Sequence, residues 1–291
     1  METAQERLID LLQFHCRGSR TPTLVPGLTL FRSNQVTKPV RSFYDPRLCI
    51  VLQGRKQILV GHRRVEIGPE HYLVVVIDVP VSANVVEAEP SRPHLSLTID
   101  LDAKMVAEAI VEGVAEIPLG GKSSVDTATL TVDILEPVER LVRLLDRPGD
   151  IKTLAPLIHK ELYYRLLQGE LGAMVGQLGT AGSRLARIAG ATAWISTNFR
   201  KSLKIEELAS EAGMSVTSFH RNFKAATSFS PLQFRTRLRL HEARRQIMLK
   251  QAKIGTIAFD VGYENQSQFN REYKMMFGVS PREDALPLEQ G

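Results

Sequence analysis

Two groups of polar residues in the C-terminal third of this 291-residue sequence have side chains of the kind that hydrogen-bond to nucleic-acid bases and phosphates. The first group comprises Thr217, His220 and Arg221, and the second comprises Gln266, Ser267, Gln268 and Arg271. An aromatic pair at helical spacing accompanies each group, Phe219 with Phe223 and Phe269 with Tyr273. Residues at i and i+4 share one face of a helix, so the aromatic pairs would point inward and leave the polar side chains outside.

The two groups belong to a repeat with an offset of 50 residues. Residues 219–224 reappear as 269–274, and Ser230-Pro231 reappears as Ser280-Pro281. Upstream of each copy, an alanine precedes a glycine by four residues, at Ala209/Gly213 and Ala258/Gly262. A small residue where two helices cross, followed by a glycine that tolerates the left-handed conformation, predicts a helix-turn-helix in each copy.

A long helix is predicted between the two units, from about residue 232 to residue 249. Ser230 is a good N-cap and Pro231 suits the first helical position, where its missing N–H costs nothing. At about 1.5 Å per residue this helix would be roughly 27 Å long. Such a rod could hold the second helices of both units in adjacent major grooves, about 34 Å apart along a duplex.

The N-terminal half has the pattern of a β-domain. Short apolar runs occur at residues 28–31, 48–52, 57–60, 72–77 and 83–86, with turn residues between them. Residues 95–101 alternate apolar and polar side chains, which is typical of a strand with one buried face. Helical stripes follow at 103–112, 127–145 and 154–167. The last two could pack against their own β-domain or against a second copy of the chain, and the pattern leaves both open.

Charge and composition separate the two halves. Residues 184–291 contain 17 Lys and Arg against 10 Asp and Glu, whereas the rest contains 20 against 22. The basic excess therefore coincides with the repeated units, as expected if they meet a polyanion. No apolar run approaches 18 residues, the N-terminus lacks an apolar signal core, and only Cys16 and Cys49 are cysteines. These features predict a cytoplasmic protein with no membrane span.

Residues from about 187 to 284 strongly resemble the DNA-binding domain of AraC/XylS-family transcription regulators. The matching motifs are ELASEAGMS (207–215), RLHEAR (239–244), IAFDVGYE (257–264) and GVSP (278–281). The resemblance implies DNA contacts at Thr217, His220 and Arg221 in the first unit, and at Gln266, Ser267, Gln268 and Arg271 in the second. The chain departs from the family pattern at Lys204, where a capping Ser or Thr is usual. It also departs at Asp284-Ala285, where an aromatic residue followed by Arg is frequent.

The N-terminal half resembles the N-terminal domain of one AraC-type subgroup, through PGLTLF (26–31), LCIVLQG (48–54) and GPEHYLV (68–74). This resemblance implies a cupin-like β-barrel with trailing helices that senses an effector and often dimerises. The predicted fold is therefore α+β, with an all-α C-terminal domain in which a long helix joins two helix-turn-helix units. The predicted limits are 1–170 for the sensing domain, 171–184 for a linker containing several glycines, and 185–291 for the DNA-binding domain.

These observations predict a bacterial, sequence-specific transcription regulator whose partners are double-stranded DNA, RNA polymerase and a small-molecule effector. A regulator without a ligand, controlled by its own abundance, is the alternative within this class. A cupin-type enzyme tethered to DNA is the alternative from another class, but His62, His71 and His94 are widely spaced and include no His-x-His pair, which disfavours a metal centre. We expect no catalytic residue, metal or cofactor.

The N-terminal domain is expected to hold a small, largely apolar or carbonyl-bearing ligand. No set of effector-binding residues can be identified from the sequence. Cys49, which lies in the apolar strand LCIVL, is a weak candidate for a thiol that senses the effector. The competing interpretation is that Cys49 is a small buried hydrophobic residue, which a free cysteine resembles.

Overall fold

The computed structural model describes residues 3–113 and 123–285. The chain divides into two compact units, one formed by Met1–Ala189 with Ala225–Ser228, and the other by Gly190–Lys224 with Phe229–Gly291. We call them the N-terminal unit and the C-terminal unit. No helix within the described ranges has the length and apolar character needed to cross a membrane.

The described part of the N-terminal unit contains ten strands. In chain order these are β1 (Arg20–Pro22), β2 (Leu28–Ser33), β3 (Val40–Tyr44), β4 (Arg47–Gln53), β5 (Arg55–Val60), β6 (Arg63–Ile67), β7 (His71–Val75), β8 (Val79–Glu87), β9 (His94–Asp100) and β10 (Val125–Thr129). They form a six-stranded sheet in the order β1-β2-β9-β4-β7-β10 and a four-stranded sheet in the order β3-β8-β5-β6. All strand pairs within these sheets are antiparallel.

The predicted β-domain is confirmed, and each apolar run found in the sequence overlaps a strand, although the run 72–77 extends two residues past the end of β7. The sequence analysis missed β1, β3, β6 and β10, because these are short strands with at most two fully buried residues each. β9 differs from the prediction of a strand with one polar face in water. Both of its faces are buried, Leu95, Leu97 and Ile99 on one side and His94, Ser96 and Thr98 on the other.

Five α-helices lie wholly within the described part of the N-terminal unit, namely α1 (Ala4–His15), α2 (Ala103–Gly113), α3 (Val132–Arg143), α4 (Ile151–Gln168) and α5 (Gly172–Gly179). The helix predicted over 127–145 begins later, because residues up to Thr129 pair with β7 as strand β10. The apolar stripe of α3 is buried, and its Glu139 accepts hydrogen bonds from Arg7 of α1 and from Arg143. Leu157 of α4 remains exposed.

The glycine-containing segment 171–184, predicted as a linker, is mostly helical because it contains α5. A Cβ at Gly172 would collide with the Leu167 carbonyl, and one at Gly179 would lie 2.6 Å from the Ala107 amide nitrogen. These two glycines therefore permit close packing of α5, which is a different use of glycine from chain flexibility. The domain limits at residues 170 and 185 stay predictions.

The C-terminal unit is helical. Its helices are α6 (Arg184–Asn198), which begins in the N-terminal unit, then α7 (Ile205–Glu211), α8 (Val216–Thr227), α9 (Pro231–Met248), α10 (Ile254–Asp260), α11 (Gln266–Phe277) and α12 (Pro281–Asp284). α9 is the predicted connecting helix, and Ser230 caps it by accepting a hydrogen bond from the Gln233 amide. Residues of α9, α10 and α11 share one hydrophobic cluster, centred on Ile257, Phe269 and Tyr273.

Candidate nucleic-acid interface and effector cavity

The first helix-turn-helix unit is formed by α7 and α8. Gly213 adopts a positive φ of 60° between them, as the repeat predicted, and the Ser215 hydroxyl accepts a hydrogen bond from the Ser218 amide at 3.3 Å. Phe219 and Phe223 are fully buried. The opposite face of α8 therefore carries the polar residues outward, with Thr217 and Arg221 exposed and His220 half-buried.

The second helix-turn-helix unit is formed by α10 and α11. Gly262 has a φ of 94°, and a Cβ there would lie 2.7 Å from the Arg200 carbonyl oxygen, so only glycine fits this turn. Asn265 caps α11 by accepting a hydrogen bond from the Ser267 amide at 2.7 Å. Phe269 and Tyr273 are buried. The four residues predicted to contact DNA are all exposed on α11, namely Gln266, Ser267, Gln268 and Arg271.

Glu272 fixes one of these side chains and was missed by the sequence analysis. Its carboxylate accepts hydrogen bonds from Gln268 Nε2 at 2.9 Å and from the Tyr263 hydroxyl at 2.6 Å. Burial, followed by the hydrogen bond to Glu272, raises the pKa of Tyr263 above its ordinary value. The Gln268 amide is thus held in one orientation before any base is met, which favours base reading by a fixed donor and acceptor pair.

The basic residues of the C-terminal unit have two different roles. Five arginines lie on α9, but Arg239 donates to the carbonyls of Phe199 and Arg200 at 2.7 and 3.1 Å, and Arg244 pairs with Asp284 at 2.8 Å. These arginines hold helices together. Lys204, the departure noted above, makes no side-chain cap for α7 and pairs with Glu207. Arg221 of α8 and Arg271 of α11 are instead exposed on the outer faces of their helices.

A separate feature of the N-terminal unit is a cavity of about 610 Å³ between its two sheets. Phe31 of β2 and Ser96 of β9 line it from the six-stranded sheet, and Tyr44 of β3 and Lys56 of β5 line it from the four-stranded sheet. Pockets of 300–1,000 Å³ are the usual size for small organic ligands. The cavity therefore has room for one such molecule.

The buried polar face of β9 forms one wall of this cavity through His94, Ser96 and Thr98. His94 Nε2 hydrogen-bonds with Ser96 Oγ at 3.0 Å, while Nδ1 has no partner among the protein atoms described. Burial, with a smaller contribution from the charge of Lys56, lowers the pKa of His94 to about 4. His94 is consequently a neutral imidazole at neutral pH.

Cys49 lies on β4 opposite Thr98, so its side chain shares the face of the sheet that bounds the cavity. It is nevertheless buried and is not among the lining residues. Burial raises the pKa of its thiol, which disfavours the reactive thiolate. Its role as a sensor stays a prediction.

The three histidines weighed as metal ligands lie apart in the fold. His62 and His71 are exposed, and His94 is buried in the cavity wall. Across residues 3–113 and 123–285, no group of three or more His, Cys, Asp or Glu side chains is arranged to hold a metal ion.

Two family models match the chain. The model for the AraC-type transcriptional regulator N-terminus matches residues 24–174, which is more than half of the sequence, and a helix-turn-helix domain model matches residues 208–285. The chain belongs to the AraC family of transcription regulators. The resemblance found in the motifs of both halves is thereby confirmed.

Curated AraC-type relatives include the transcriptional activator RhaS from Mannheimia succiniciproducens, which is 33% identical over 90 residues, covering 31% of this chain and 34% of the relative. RhaS from Salmonella arizonae is 26% identical over 158 residues, covering 53% and 56%. The chain thus spans between a third and just over half of the length of these relatives.

Among solved structures, ToxT from Vibrio cholerae with an unsaturated fatty acid bound superposes with a TM-score of 0.60, covering 90% of this chain and 95% of ToxT. The two sequences are 10% identical. At that identity the similarity concerns the fold, in which a domain of β-sheets precedes a helical domain.

Proposed function

We propose that the chain regulates transcription by binding specific duplex DNA through α8 and α11, under control of a small molecule held between its two sheets. The observation that carries the first part is the duplicated outer face of the recognition helices. Each face combines an exposed arginine with shorter polar side chains, above an aromatic pair that is buried. Arg suits guanine and Gln suits adenine in the major groove.

Effector control is supported by the cavity. A protein controlled only by its abundance needs no cavity with buried polar groups in its wall, because such groups cost free energy unless they find partners. The unpartnered Nδ1 of His94 in the cavity wall is such a group. Occupancy of the cavity would alter the DNA affinity through a coupling of a few kcal/mol.

Two partners are proposed on weaker support. Leu157, which is 61% exposed, and its neighbour Leu154 leave apolar surface on α4 that a second copy of the chain could cover. Contact with RNA polymerase follows from the activator relatives alone. A cytoplasmic location and the lack of enzymatic activity also stay predictions.

The full-length chain tests the proposal directly. A library of random duplexes should yield a selected site, and affinity for that site should fall steeply with salt, by about 0.9 in log K per phosphate neutralised for each unit of log salt concentration. A chain that binds no duplex, or one whose affinity does not depend on salt, would contradict the proposal.

A further inference from the structure

The cavity between the sheets contains an ammonium group between two aromatic rings. Lys56 Nζ lies 5.6 Å from the centre of the Phe31 ring and 5.4 Å from the centre of the Tyr44 ring. Phe31 belongs to the six-stranded sheet, whereas Tyr44 and Lys56 belong to the four-stranded sheet. The lysine therefore reaches across the cavity, and a ligand that enters must meet its charge.

Lys56 has no carboxylate partner in the described structure. Its side chain hydrogen-bonds with Tyr44, and the groups that act on it electrostatically are Tyr44, Cys49 and Arg47, none of which is a carboxylate. Burial, the largest single influence, lowers the pKa of Lys56, yet the net shift of that pKa is upward, so the side chain stays an ammonium at neutral pH. A partly buried ammonium without a counter-charge is an incomplete ion pair.

The rest of the cavity wall is also positive. Arg20, Arg32 and Arg47 line it together with Lys56, and the single lining acid, Asp45, is already paired with Arg47 at 2.9 Å. Asp100, which pairs with Arg47 in the sheet register, does not line the cavity. A site with this charge balance favours anions and disfavours cations.

We propose that this cavity binds a small organic monocarboxylate, whose carboxylate accepts hydrogen bonds from Lys56 Nζ while its apolar body lies against Phe31 and Tyr44. A single ammonium matches a single negative charge, whereas phosphate is usually gripped by several donors or by an arginine fork. Of the lining arginines, Arg47 is paired with Asp45, Arg32 donates to Asn34 Oδ1 and Arg20 is exposed. The two rings and the nearby Val40 and Val85 supply the apolar surface.

This ligand class rests on the proposed effector control, and it narrows the expectation of an apolar or carbonyl-bearing ligand. A carbonyl compound would need a neutral amine or a thiolate for covalent capture. Lys56 is an ammonium, and burial keeps Cys49 a thiol. Non-covalent recognition of a carboxylate requires Lys56 as an ammonium and does not require Cys49 as a thiolate.

The test is calorimetry on the full-length chain with a panel of aryl-alkanoates and straight-chain alkanoates of six to ten carbons (about the size that the cavity admits), each with its uncharged primary amide. At least one carboxylate should bind with a dissociation constant below about 1 mM. Its amide should bind about ten-fold to a hundred-fold more weakly, because the amide carbonyl still accepts a hydrogen bond from the ammonium but the attraction between opposite charges is lost.

Lys56→Met keeps the aliphatic stem over the rings and removes the charge, so it should weaken carboxylate binding by at least the same factor and weaken amide binding much less. Lys56→Arg should retain the preference for carboxylates. Lys152→Met, at an exposed lysine of α4 outside the cavity, is the matched control and should bind like the parent chain. Inorganic phosphate and sulfate should not compete with the carboxylate.

Equal binding of acids and amides, no binding by any member of the panel, or an unaffected Lys56→Met would each overturn the monocarboxylate assignment. Competition by phosphate would replace it with a phosphate site. Binding of the selected duplex by the Lys56→Met chain is measured in parallel. This measurement distinguishes a wrong ligand class from a wrong proposed function. If the duplex binds and the carboxylates do not, the ligand class alone is wrong, whereas loss of duplex binding in the parent chain refutes the regulator itself.

Discussion

The two helix-turn-helix units have the same fold, but the helix that follows each unit packs on it through a different kind of contact. We call this contact the closure of the unit. In the first unit, Phe223 meets Phe234 edge to face at 5.5 Å, so the start of α9 closes over α8 with an aromatic side chain. In the second unit the equivalent residues are Tyr273 and Asp284, and the Tyr273 hydroxyl donates to the Asp284 carboxylate at 2.6 Å. Arg244 completes this second contact by pairing with the same carboxylate.

This difference accounts for one departure from the family pattern. The frequent aromatic residue is present at Phe234 and absent at Asp284, where a hydrogen-bonded ion pair takes its place. The comparison shows that a repeat can preserve geometry while exchanging apolar contact for a polar network. The two closures should therefore respond differently to truncation.

The largest expected effect is at Phe234. Its side chain is fully buried, so Phe234→Ala should lower the free energy of unfolding of the C-terminal unit by about 3–5 kcal/mol. Chemical denaturation of the full-length chain measures this loss. A smaller loss of unfolding free energy in Phe234→Ala than in Asp284→Ala would show that the aromatic contact of the first unit is not the stronger of the two.

The two compact units must be told apart in such unfolding curves, and His94 provides the means. Its folded pKa of about 4 lies below the ordinary value of 6.5, so the N-terminal unit is stabilised above pH 6.5 and loses this contribution as pH falls towards 4. The loss amounts to about 3 kcal/mol. His94→Gln should flatten the pH dependence of the N-terminal transition between pH 6.5 and 4. An unchanged slope would show that His94 is not buried as a neutral group.

Truncation of the second closure should have a smaller effect. Asp284→Ala leaves the Tyr273 hydroxyl and the partly buried Arg244 without their partner, and should cost about 2–3 kcal/mol of unfolding free energy. The matched control is Arg245→Ala, which breaks the more exposed pair with Glu242 and should cost much less than Asp284→Ala. Equal losses of unfolding free energy in the two variants would show that Asp284 contributes no more to stability than an exposed ion pair does.

The smallest effect concerns how each unit orients its recognition helix. Glu272 holds Gln268, whereas the equivalent Asn222 makes a longer, neutral contact with Ser218 at 3.2 Å. Glu272→Ala should reduce the ratio of specific to non-specific DNA affinity by about 1 kcal/mol, and Asn222→Ala by less than half of that. Fluorescence anisotropy with a selected and a scrambled duplex gives both ratios. A larger loss for Asn222→Ala would reverse the comparison.

The sequence was most informative where local signals coincide. The repeated Ala and Gly, the aromatic pairs and the Ser-Pro caps act within one or two helical turns, and α8, α9 and α11 were predicted from them. Asn265 shows a missed local signal, since an Asn before a helix is a common N-cap. The role of Glu272 depends on Tyr263, nine residues away across a turn, and spacing alone did not indicate it.

The cavity could not be derived in the same way. The alternation in β9 correctly separated its two faces, but it could not show that a second sheet encloses the polar face. The enclosure of that face depends on strand pairing between residues far apart in the sequence, which brings Lys56 and Tyr44 to the cavity. The glycines of 169–183 were interpreted as a sign of a flexible linker for a similar reason, because a closely packed segment and a flexible segment can both be rich in glycine.

The central claim is that two unequal units each read one part of a DNA site. Its most direct test is the base preference of the full-length chain at each position of the selected duplex, compared for Arg221→Ala, Arg271→Ala and the control Arg64→Ala, an exposed arginine of β6. The parent chain should prefer two blocks about 10 base pairs apart. Arg221→Ala should relax one block and Arg271→Ala the other, each by about 1–3 kcal/mol, with the smaller loss for Arg271→Ala. Arg64→Ala should change neither block. Relaxation of the same block by both recognition-helix variants, or a uniform loss of affinity on every sequence, would contradict the account.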